Sequence, residues 1–141
     1  MEVPPYLIGA SIIGVVAQRL VRKVCKSCSE LRNLNAKENQ LALSHGVNKA
    51  RFLNQNNKGC TVCNGTGYKG RVGIYEVMKV TEVIRELIMN QSNADEIREH
   101  AFDKTGRSLL SYGMNLVKSE LTTIEEVERV CLLNENQAEE L

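Results

Sequence analysis

The stretch GCTVCNGTGYKGRVGIYEV, from Gly59 to Val77, decides the fold because it joins a pair of cysteines to a strand pattern. Cys60 and Cys63 have the C-x-x-C spacing of metal sites and redox pairs. The residues after them have the two-residue alternation and β-branched content that predict a strand over residues 70–80. A metal knuckle, a redox pair and a phosphate loop are all compatible with this stretch alone, so the rest of the chain must distinguish them.

A second C-x-x-C pair, Cys25 and Cys28, follows a β-branched run that predicts another strand from Gly14 to Val24. If the two strands pair antiparallel, both cysteine pairs lie at the same end of the hairpin, where four thiolates can surround one ion. Tetrahedral zinc takes such a set, with bonds of about 2.3 Å, and four filled positions make the site structural. The predicted zinc ligands are Cys25, Cys28, Cys60 and Cys63.

Three other interpretations of the cysteine stretch fit less well. A thioredoxin-like redox pair needs a helix directly after the first cysteine and a βαβ setting, and the sequence has neither pattern. Gly65, Gly67 and Gly70 match G-x-G-x-x-G, but they precede a strand, whereas the dinucleotide fingerprint follows one. CTVCNGTG matches the repeat of Hsp40-type chaperones, but CKSCSELR lacks its glycines. Gly65 and Gly67 instead suit the tight turns and sulfur-directed N–H groups of a metal knuckle.

The composition of the 141-residue chain is that of a soluble globular protein, with 43% hydrophobic and 25% charged residues. Only 4% of the residues are aromatic, which argues against a base-stacking surface for nucleic acid. Residues 1–63 have nine Lys and Arg against three Asp and Glu, a net charge of +6, and residues 64–141 have nine against fourteen, a net charge of −5. These halves are expected to attract each other or a neighbouring copy.

The longest apolar stretch, from Tyr6 to Ala17, is interrupted by glycine and serine and has about half of the ~20 residues that span a bilayer. No basic region precedes it, so we expect no signal peptide, no transmembrane helix and a cytoplasmic protein. In a reducing cytosol, five cysteines favour metal binding or reactive thiols over disulfides.

Residues 29–59, between the two cysteine pairs, are polar, basic and rich in asparagine. We expect an insert with little core of its own and one short helix from Ala36 to His45, which ends where Gly46 supplies the left-handed C′ position. The basic side chains of the insert suit a solvated surface, and contact with a partner or with nucleic acid stays an alternative. They are Arg32, Lys37, Lys49, Arg51 and Lys58.

From residue 81 onward the apolar residues follow a helical period. Two of the helix starts have capping-box spacing, at Asn93–Glu96 and at Thr123–Glu126. The sequence therefore predicts a small helical bundle over residues 81–133 and a flexible tail at 134–141. Together with the two strands, this gives an α+β or mostly α fold class.

Four segments, in this order, carry a resemblance to a known family: GASIIGVVAQRLVRKVCKSC, GCTVCNGTGYKGRVGIYEVMKV, IRELI and LTTIEEVERV. The chain resembles the carboxy-terminal part of the ATPases that drive type II secretion and type IV pilus assembly in bacteria. The resemblance extends from about Pro5 to Val130. The cysteines favour the secretion and pilus-assembly branch, because the related pilus-retraction motors have a short turn in place of the insert.

The resemblance implies a RecA-like motor domain, a tetracysteine zinc element that projects from it, and a small helical domain at the end of the chain. The implied fold is the two-strand end of the motor sheet, a zinc insert and a helical bundle. Carried over, the divisions are 1–24 for the edge of the motor domain, 25–69 for the zinc-binding element, 70–80 for the return strand, 81–133 for the helical domain and 134–141 for the tail.

The P-loop and the catalytic carboxylates of that family have no match in this sequence, and no G-x-x-x-x-G-K-[ST] motif occurs. We therefore expect a fragment of the motor that has no catalytic residue and does not hydrolyse ATP alone. Arg19 and Arg22 lie where the strand leaves the resembled motor domain. At most they position nucleotide held by other residues, or they pair with carboxylates across a subunit boundary.

Zinc is the cofactor that the resemblance implies for this chain, with ATP and Mg²⁺ bound only in the complete motor. The implied partners are the other subunits of a homohexamer and the inner-membrane platform protein of the pilus or secretion machine. The chain would then be cytoplasmic and peripheral to the inner membrane, and no nucleic-acid partner is expected. A free-standing zinc ribbon that binds nucleic acid or protein is the alternative function.

Overall fold

The computed structural model describes residues 3–34, 40, 42, 44–53, 59–101 and 108–132, so the predicted tail at 134–141 lies outside the described residues. The α+β fold class is confirmed, with two small sheets and several short helices. In chain order the elements are α1 (Pro5–Ser11), β1 (Gly14–Val24), β2 (Ser29–Asn33), β3 (Lys49–Leu53), β4 (Tyr68–Lys79), α2 (Glu82–Met89), α3 (Ala94–Ala101), α4 (Leu109–Lys118) and α5 (Ile124–Leu132).

The two strands predicted on either side of the cysteine pairs, β1 and β4, form a two-stranded sheet. At one end the Cys25 N–H donates to the Gly67 carbonyl at 2.9 Å. At the other end the Val80 N–H donates to the Ile13 carbonyl at 3.1 Å. The strands are therefore antiparallel, which is the arrangement that brings both cysteine pairs to one end of the sheet.

The insert contains a second antiparallel sheet that the sequence did not predict. Strand β2 pairs with β3 so that Ser29 lies opposite Leu53 and Asn33 lies opposite Lys49. The insert also has one predicted feature, the end of its short helix. Residues 40, 42 and 44 are helical, while residues 36–39 of the predicted helix lie outside the described ranges.

Gly46 ends that helix as expected. Its φ is +68°, and the Val47 N–H donates to the Ala42 carbonyl at 2.8 Å, the six-residue bond that closes a Schellman C-terminus. A residue with a side chain would be strained in this left-handed conformation. The prediction of Gly46 as the C′ residue is confirmed.

Two compact units make up the chain. The first comprises Met1–Ala17 and Tyr75–Ser108, and the second comprises Gln18–Ile74 and Leu109–Leu141. In the first unit α1 packs against α2, and α2 packs against α3. In the second unit α4 packs against α5 and β3. Helices α1, α2 and α3 thus belong to the first unit and α4 and α5 to the second. Periodicity gives a helix its apolar face but does not choose the partner for that face.

The core of the second unit contradicts the expectation of an insert with little core. Phe52 on β3 is 5% exposed and packs with the last two helices. The apolar residues of the insert are few, but they meet the apolar faces of α4 and α5, so together they bury a continuous cluster. Its buried members are Ala42, Val47, Ala50, Phe52, Met114, Val117, Ile124 and Val127.

The predicted helix caps are present at both capping-box positions. The Glu96 N–H donates to the Asn93 side chain at 2.8 Å, and the Glu126 N–H donates to the Thr123 hydroxyl at 3.3 Å. None of the helices in the described part of the chain has the length and apolar composition needed to cross a bilayer.

Replacing Gly113 with alanine should destabilise the second unit by about 1–3 kcal/mol, although alanine favours a helix over glycine by about 1 kcal/mol. A Cβ at this position would lie 2.5 Å from Cγ1 of Val127, so α4 and α5 would have to separate. Thermal unfolding followed by circular dichroism measures the effect. Asn115→Ala, at an exposed position of the same helix, is the control and should leave the midpoint unchanged or raise it. An unchanged midpoint for Gly113→Ala would contradict the close packing.

Candidate metal centre

The four predicted ligands lie at one end of the β1–β4 sheet. Cys25 directly follows β1 and Cys28 directly precedes β2. Cys60 is the N-cap of a 3-10 turn at Thr61–Cys63, and Cys63 is the last residue of that turn, shortly before β4 begins. The strands therefore deliver one pair from each side, as the sequence predicted. Cys25, Cys28 and Cys63 are buried, and Cys60 is partly exposed.

The four sulfur atoms form a compact group. The Sγ–Sγ distances are 3.8 Å for Cys25–Cys60, 3.7 Å for Cys28–Cys63 and 3.9 Å for Cys60–Cys63, and all four atoms lie within 4.8 Å of one another. A tetrahedron with zinc–sulfur bonds of about 2.3 Å has edges of ~3.8 Å. The spacing thus fits a tetrahedral metal ion and is too long for disulfides, so the four cysteines could hold one ion.

Backbone N–H groups around the second pair point at Cys63. Its Sγ accepts from the Cys60 N–H at 3.1 Å and from the Gly67 N–H at 3.2 Å. The turn needs left-handed backbone, with φ of +76° at Gly65 and +75° at Gly67. At Gly67 a Cβ would also lie 2.6 Å from Cδ2 of Leu53. The geometry predicted for these two glycines is therefore confirmed at Gly67, which has both the positive φ and the sulfur-directed N–H.

Burial and hydrogen bonding give Cys25, Cys28 and Cys63 different pKa values. Burial raises the pKa of Cys63, but the N–H groups of Cys60 and Gly67 outweigh burial and lower it to about 6. The backbone of Ser27 is the main cause that lowers the pKa of Cys25. Burial and the neighbouring thiols raise the pKa of Cys28 to about 12. The site therefore offers a thiolate at neutral pH, and a cation that binds would displace the remaining thiol protons.

Arg19 and Arg22, the two arginines singled out in the sequence, lie in different surroundings on β1. Arg19 is exposed on β1. Arg22 binds within the chain: its guanidinium donates to a Glu126 carboxylate oxygen at 2.6 Å, and its Cζ lies 4.2 Å from the centre of the Tyr68 ring. Arg22 therefore has a carboxylate partner within its own chain, and pairing across a subunit boundary stays a prediction for Arg19. The nucleotide contact considered for both arginines stays a prediction.

Glu126 is the residue near the site that sequence reasoning missed. It lies in the first turn of α5 and is 1% exposed. Its carboxylate accepts the Arg22 backbone N–H at 3.0 Å and two bonds from the Arg129 guanidinium, at 3.0 and 2.8 Å. The capping-box spacing identified it as a helix-start residue but gave no sign of burial, since such glutamates commonly face solvent.

The charge of Glu126 is fixed by these partners. Burial would raise the pKa of the carboxyl, but the hydrogen bonds from Arg129 and Arg22 outweigh burial and lower the pKa to about 2. A buried carboxylate is stable only when it is paired in this way. Glu126 is therefore an anion at neutral pH and holds two arginines from different parts of the second unit.

Two of the basic residues of the insert contact the chain itself. Arg51 forms an ion pair with Glu120 at 2.8 Å. The Arg32 guanidinium lies over the Phe52 ring, 3.3 Å from its centre. These contacts reduce the cationic surface that the nucleic-acid interpretation requires.

Comparisons with known proteins relate the chain to secretion and pilus machinery. A family model described as type II/IV secretion system protein matches residues 1–129. The chain is 35% identical over 130 residues to the type II secretion system ATPase E of Vibrio cholerae. It is 40% identical over 131 residues to the type II secretion system protein E of Pseudomonas aeruginosa. It is also 40% identical over 129 residues to the type IV pilus assembly ATPase PilB of Thermus thermophilus.

The matched region is most of this chain but a small part of each relative. The alignments cover 92%, 92% and 90% of the chain, in the order above. They cover 25%, 25% and 14% of the relatives. The chain thus spans a quarter or less of the length of these curated relatives.

Proposed function

Because the chain belongs to the type II/IV secretion system protein family, we propose that it forms the carboxy-terminal part of a hexameric ATPase motor for type II protein secretion or type IV pilus assembly. The match over residues 1–129 is the observation that carries this proposal. In this function the chain supplies a metal-stabilised framework and contacts to other subunits. The P-loop belongs to the rest of the motor.

Zinc is the metal we propose for Cys25, Cys28, Cys60 and Cys63. Four sulfurs at tetrahedral spacing are the donor set that zinc takes in structural sites. When bound, the ion would link the end of β1, the start of β2 and the turn before β4, and it would supply no open position for chemistry. The cysteines of this chain would thereby fix the base of the insert.

Exposed apolar side chains on β1 support burial of this strand in a larger assembly. Val16 on β1 is 63% exposed, and Ile13, directly before the strand, is 84% exposed. We propose that β1 and β4 form the edge of a RecA-like motor sheet, as the sequence resemblance implies, and that other parts of the motor cover these residues. The partners would be the other subunits of a homohexamer and an inner-membrane platform protein, with the chain on the cytoplasmic side.

A chimera tests this function directly. The 130 aligned residues of the Vibrio cholerae ATPase E would be replaced with this chain, because the two are 35% identical over that length. We expect the chimera to release phosphate from ATP and to support secretion. The control chimera, with Cys63→Ser, should lose most of both activities. A folded, zinc-loaded chimera with neither activity would count against the proposal.

The chain alone is expected to release no phosphate from ATP. Phosphoryl transfer needs a lysine in a phosphate-binding loop and an acid that holds Mg²⁺, and the sequence has no G-x-x-x-x-G-K-[ST] motif. Phosphate release by the purified chain measures this. Turnover that disappears on a substitution within the chain would show that the chain is an enzyme in its own right.

The alternative, a free-standing zinc ribbon that binds nucleic acid, makes a different prediction. It requires binding that weakens with salt through the basic insert. The internal contacts of Arg51 and Arg32 favour the motor instead. A gel shift with DNA and RNA at low and moderate salt separates the two, since the motor part should show no shift at moderate salt.

A further inference from the structure

The end of β1 that carries Cys25 is hydrogen-bonded on both edges. On one edge the Cys25 N–H donates to Gly67 of the second cysteine turn, at 2.9 Å. On the other edge the Val24 N–H donates to the Leu121 carbonyl, also at 2.9 Å. Leu121 lies between α4 and α5, so the segment that joins these two helices is hydrogen-bonded to the edge of β1 that does not face β4. The position of Cys25 therefore depends on the junction between the last two helices.

Glu126 completes this edge. Its Oε1 accepts the Arg22 backbone N–H at 3.0 Å, and its Oε2 accepts the Arg22 guanidinium at 2.6 Å. The Thr122 hydroxyl donates to the Arg22 carbonyl at 2.8 Å. The main chain of Arg22, three residues before Cys25, is thus bonded through both its N–H and its carbonyl. A fully buried carboxylate makes the strongest of these bonds, because a charged acceptor strengthens them.

The second cysteine pair is joined to the same segment through Tyr68. This residue directly follows Gly67, whose N–H donates to Cys63 Sγ at 3.2 Å. The Tyr68 hydroxyl lies 3.0 Å from the Thr123 hydroxyl. The same Thr123 hydroxyl caps α5 by accepting the Glu126 N–H. Backbone next to both cysteine pairs is therefore held by residues 121–126.

We propose that Glu126 is a positioning residue for the metal centre. It holds the end of β1 directly through Arg22, and it fixes the Arg22 guanidinium that lies over Tyr68 at the start of β4, so that the four sulfurs converge before the ion arrives. This inference rests on the proposed metal site. Without the carboxylate, the bound metal must itself order the cysteine turns, and its affinity falls by that cost. Substitution of a residue that orients a metal ligand without binding the metal typically lowers the metal affinity by about 10- to 100-fold. The proposal assigns this function to a residue 63 positions after Cys63.

Coupling of this kind is reciprocal, so the metal must also stabilise the docking of α5. Zinc binding should slow hydrogen exchange of the α5 amides more in the wild type than in Glu126→Gln, and the ratio of the two slowing factors should be about the ratio of the two zinc affinities. A contact that only stabilised the fold would lower the unfolding midpoint and leave the zinc affinity of the folded protein unchanged.

The experiment is a competition titration of the 141-residue chain with Zn²⁺ and a chromophoric chelator at pH 7 under reducing conditions. Glu126→Gln keeps the side-chain shape and removes the charge, and we expect its affinity to fall at least 10-fold. Glu125→Gln is the matched control, because it removes the same charge from the adjacent, exposed position of the same helix turn. Its affinity should stay within about twofold of wild type.

Each result has a distinct meaning. Wild-type affinity in folded Glu126→Gln, or an equal loss in Glu125→Gln, would overturn the inference and leave the metal site intact. No zinc binding by the wild type would refute the metal site itself. If Glu126→Gln does not fold, Thr122→Val replaces it: this variant removes one hydroxyl bond to Arg22, and we expect about a threefold loss of affinity. Unchanged affinity in that variant would also overturn the inference.

Discussion

Replacing Cys63 with serine should abolish stoichiometric zinc binding, where the wild-type chain is expected to hold one ion. Cys63 is buried, and its Sγ accepts two backbone N–H bonds that lower the pKa of the thiol to about 6. Serine would place a hard, neutral oxygen in a site of soft thiolates, and zinc at this position prefers sulfur. Structural zinc sites supply about 10–16 kcal/mol of binding free energy at pH 7, so the loss should also unfold the cysteine turns.

Metal content after dialysis measures this loss, and hydrogen exchange at residues 59–67 reports the unfolding. The control is Cys131→Ser, which makes the same substitution in the one cysteine outside the cluster; Cys131 packs against the core of the second unit. That variant should keep one zinc per chain. Equal zinc content in the two variants, or less than half an equivalent in the wild type, would refute the four-cysteine site.

Replacing Met114 with alanine should destabilise the second unit by about 3 kcal/mol, within the range of about 2–5 kcal/mol for such truncations in cores. Met114 is 0% exposed and belongs to the cluster that joins the insert to α4 and α5. Alanine would leave a cavity there, because the surrounding side chains come from three separate elements and relax only partly. The cysteine turns should remain folded in the zinc-bound protein.

Native-state hydrogen exchange at the α4 amides measures this effect, since 3 kcal/mol corresponds to an increase of about a hundredfold in exchange through opening. Met89→Ala is the matched control: it makes the same substitution on α2 in the first unit, where Met89 is 52% exposed. The α4 amides should exchange at the wild-type rate in that variant. An effect of under threefold in Met114→Ala would show that the insert and the helices do not share one core.

Local patterns accounted for the elements that define the candidate site. The β-branched run before Cys25 predicted β1, and the alternation after Cys63 predicted β4, because side chains in a strand must follow its two-residue period. The helix starts at Asn93 and Thr123 followed from capping, which depends on residues three apart. Four cysteines at the ends of two paired strands were therefore expected to meet, and their sulfur atoms do.

The insert was the least predictable part of the fold. Its strands β2 and β3 have five residues each and include charged residues such as Glu30, Arg32 and Arg51, so they show no clear apolar alternation. Their stability comes from pairing with each other and from packing of β3 on α4, both of which join distant parts of the chain. Residues whose partners lie far away give little signal in a local window.

The sequence alone determined the cysteine site, the two strands that carry it, most of the helices and the membership in a secretion and pilus family, because each depends on spacing within a few residues or on recognisable motifs. Tertiary structure alone decided which helices pair, that the insert shares a core with α4 and α5, and that Glu126 is buried against Arg22, 104 residues away. The physical reason is that a carboxylate is stable in the interior only when it is paired, and one of the partners of Glu126, Arg22, comes from a distant part of the chain that no local pattern can indicate.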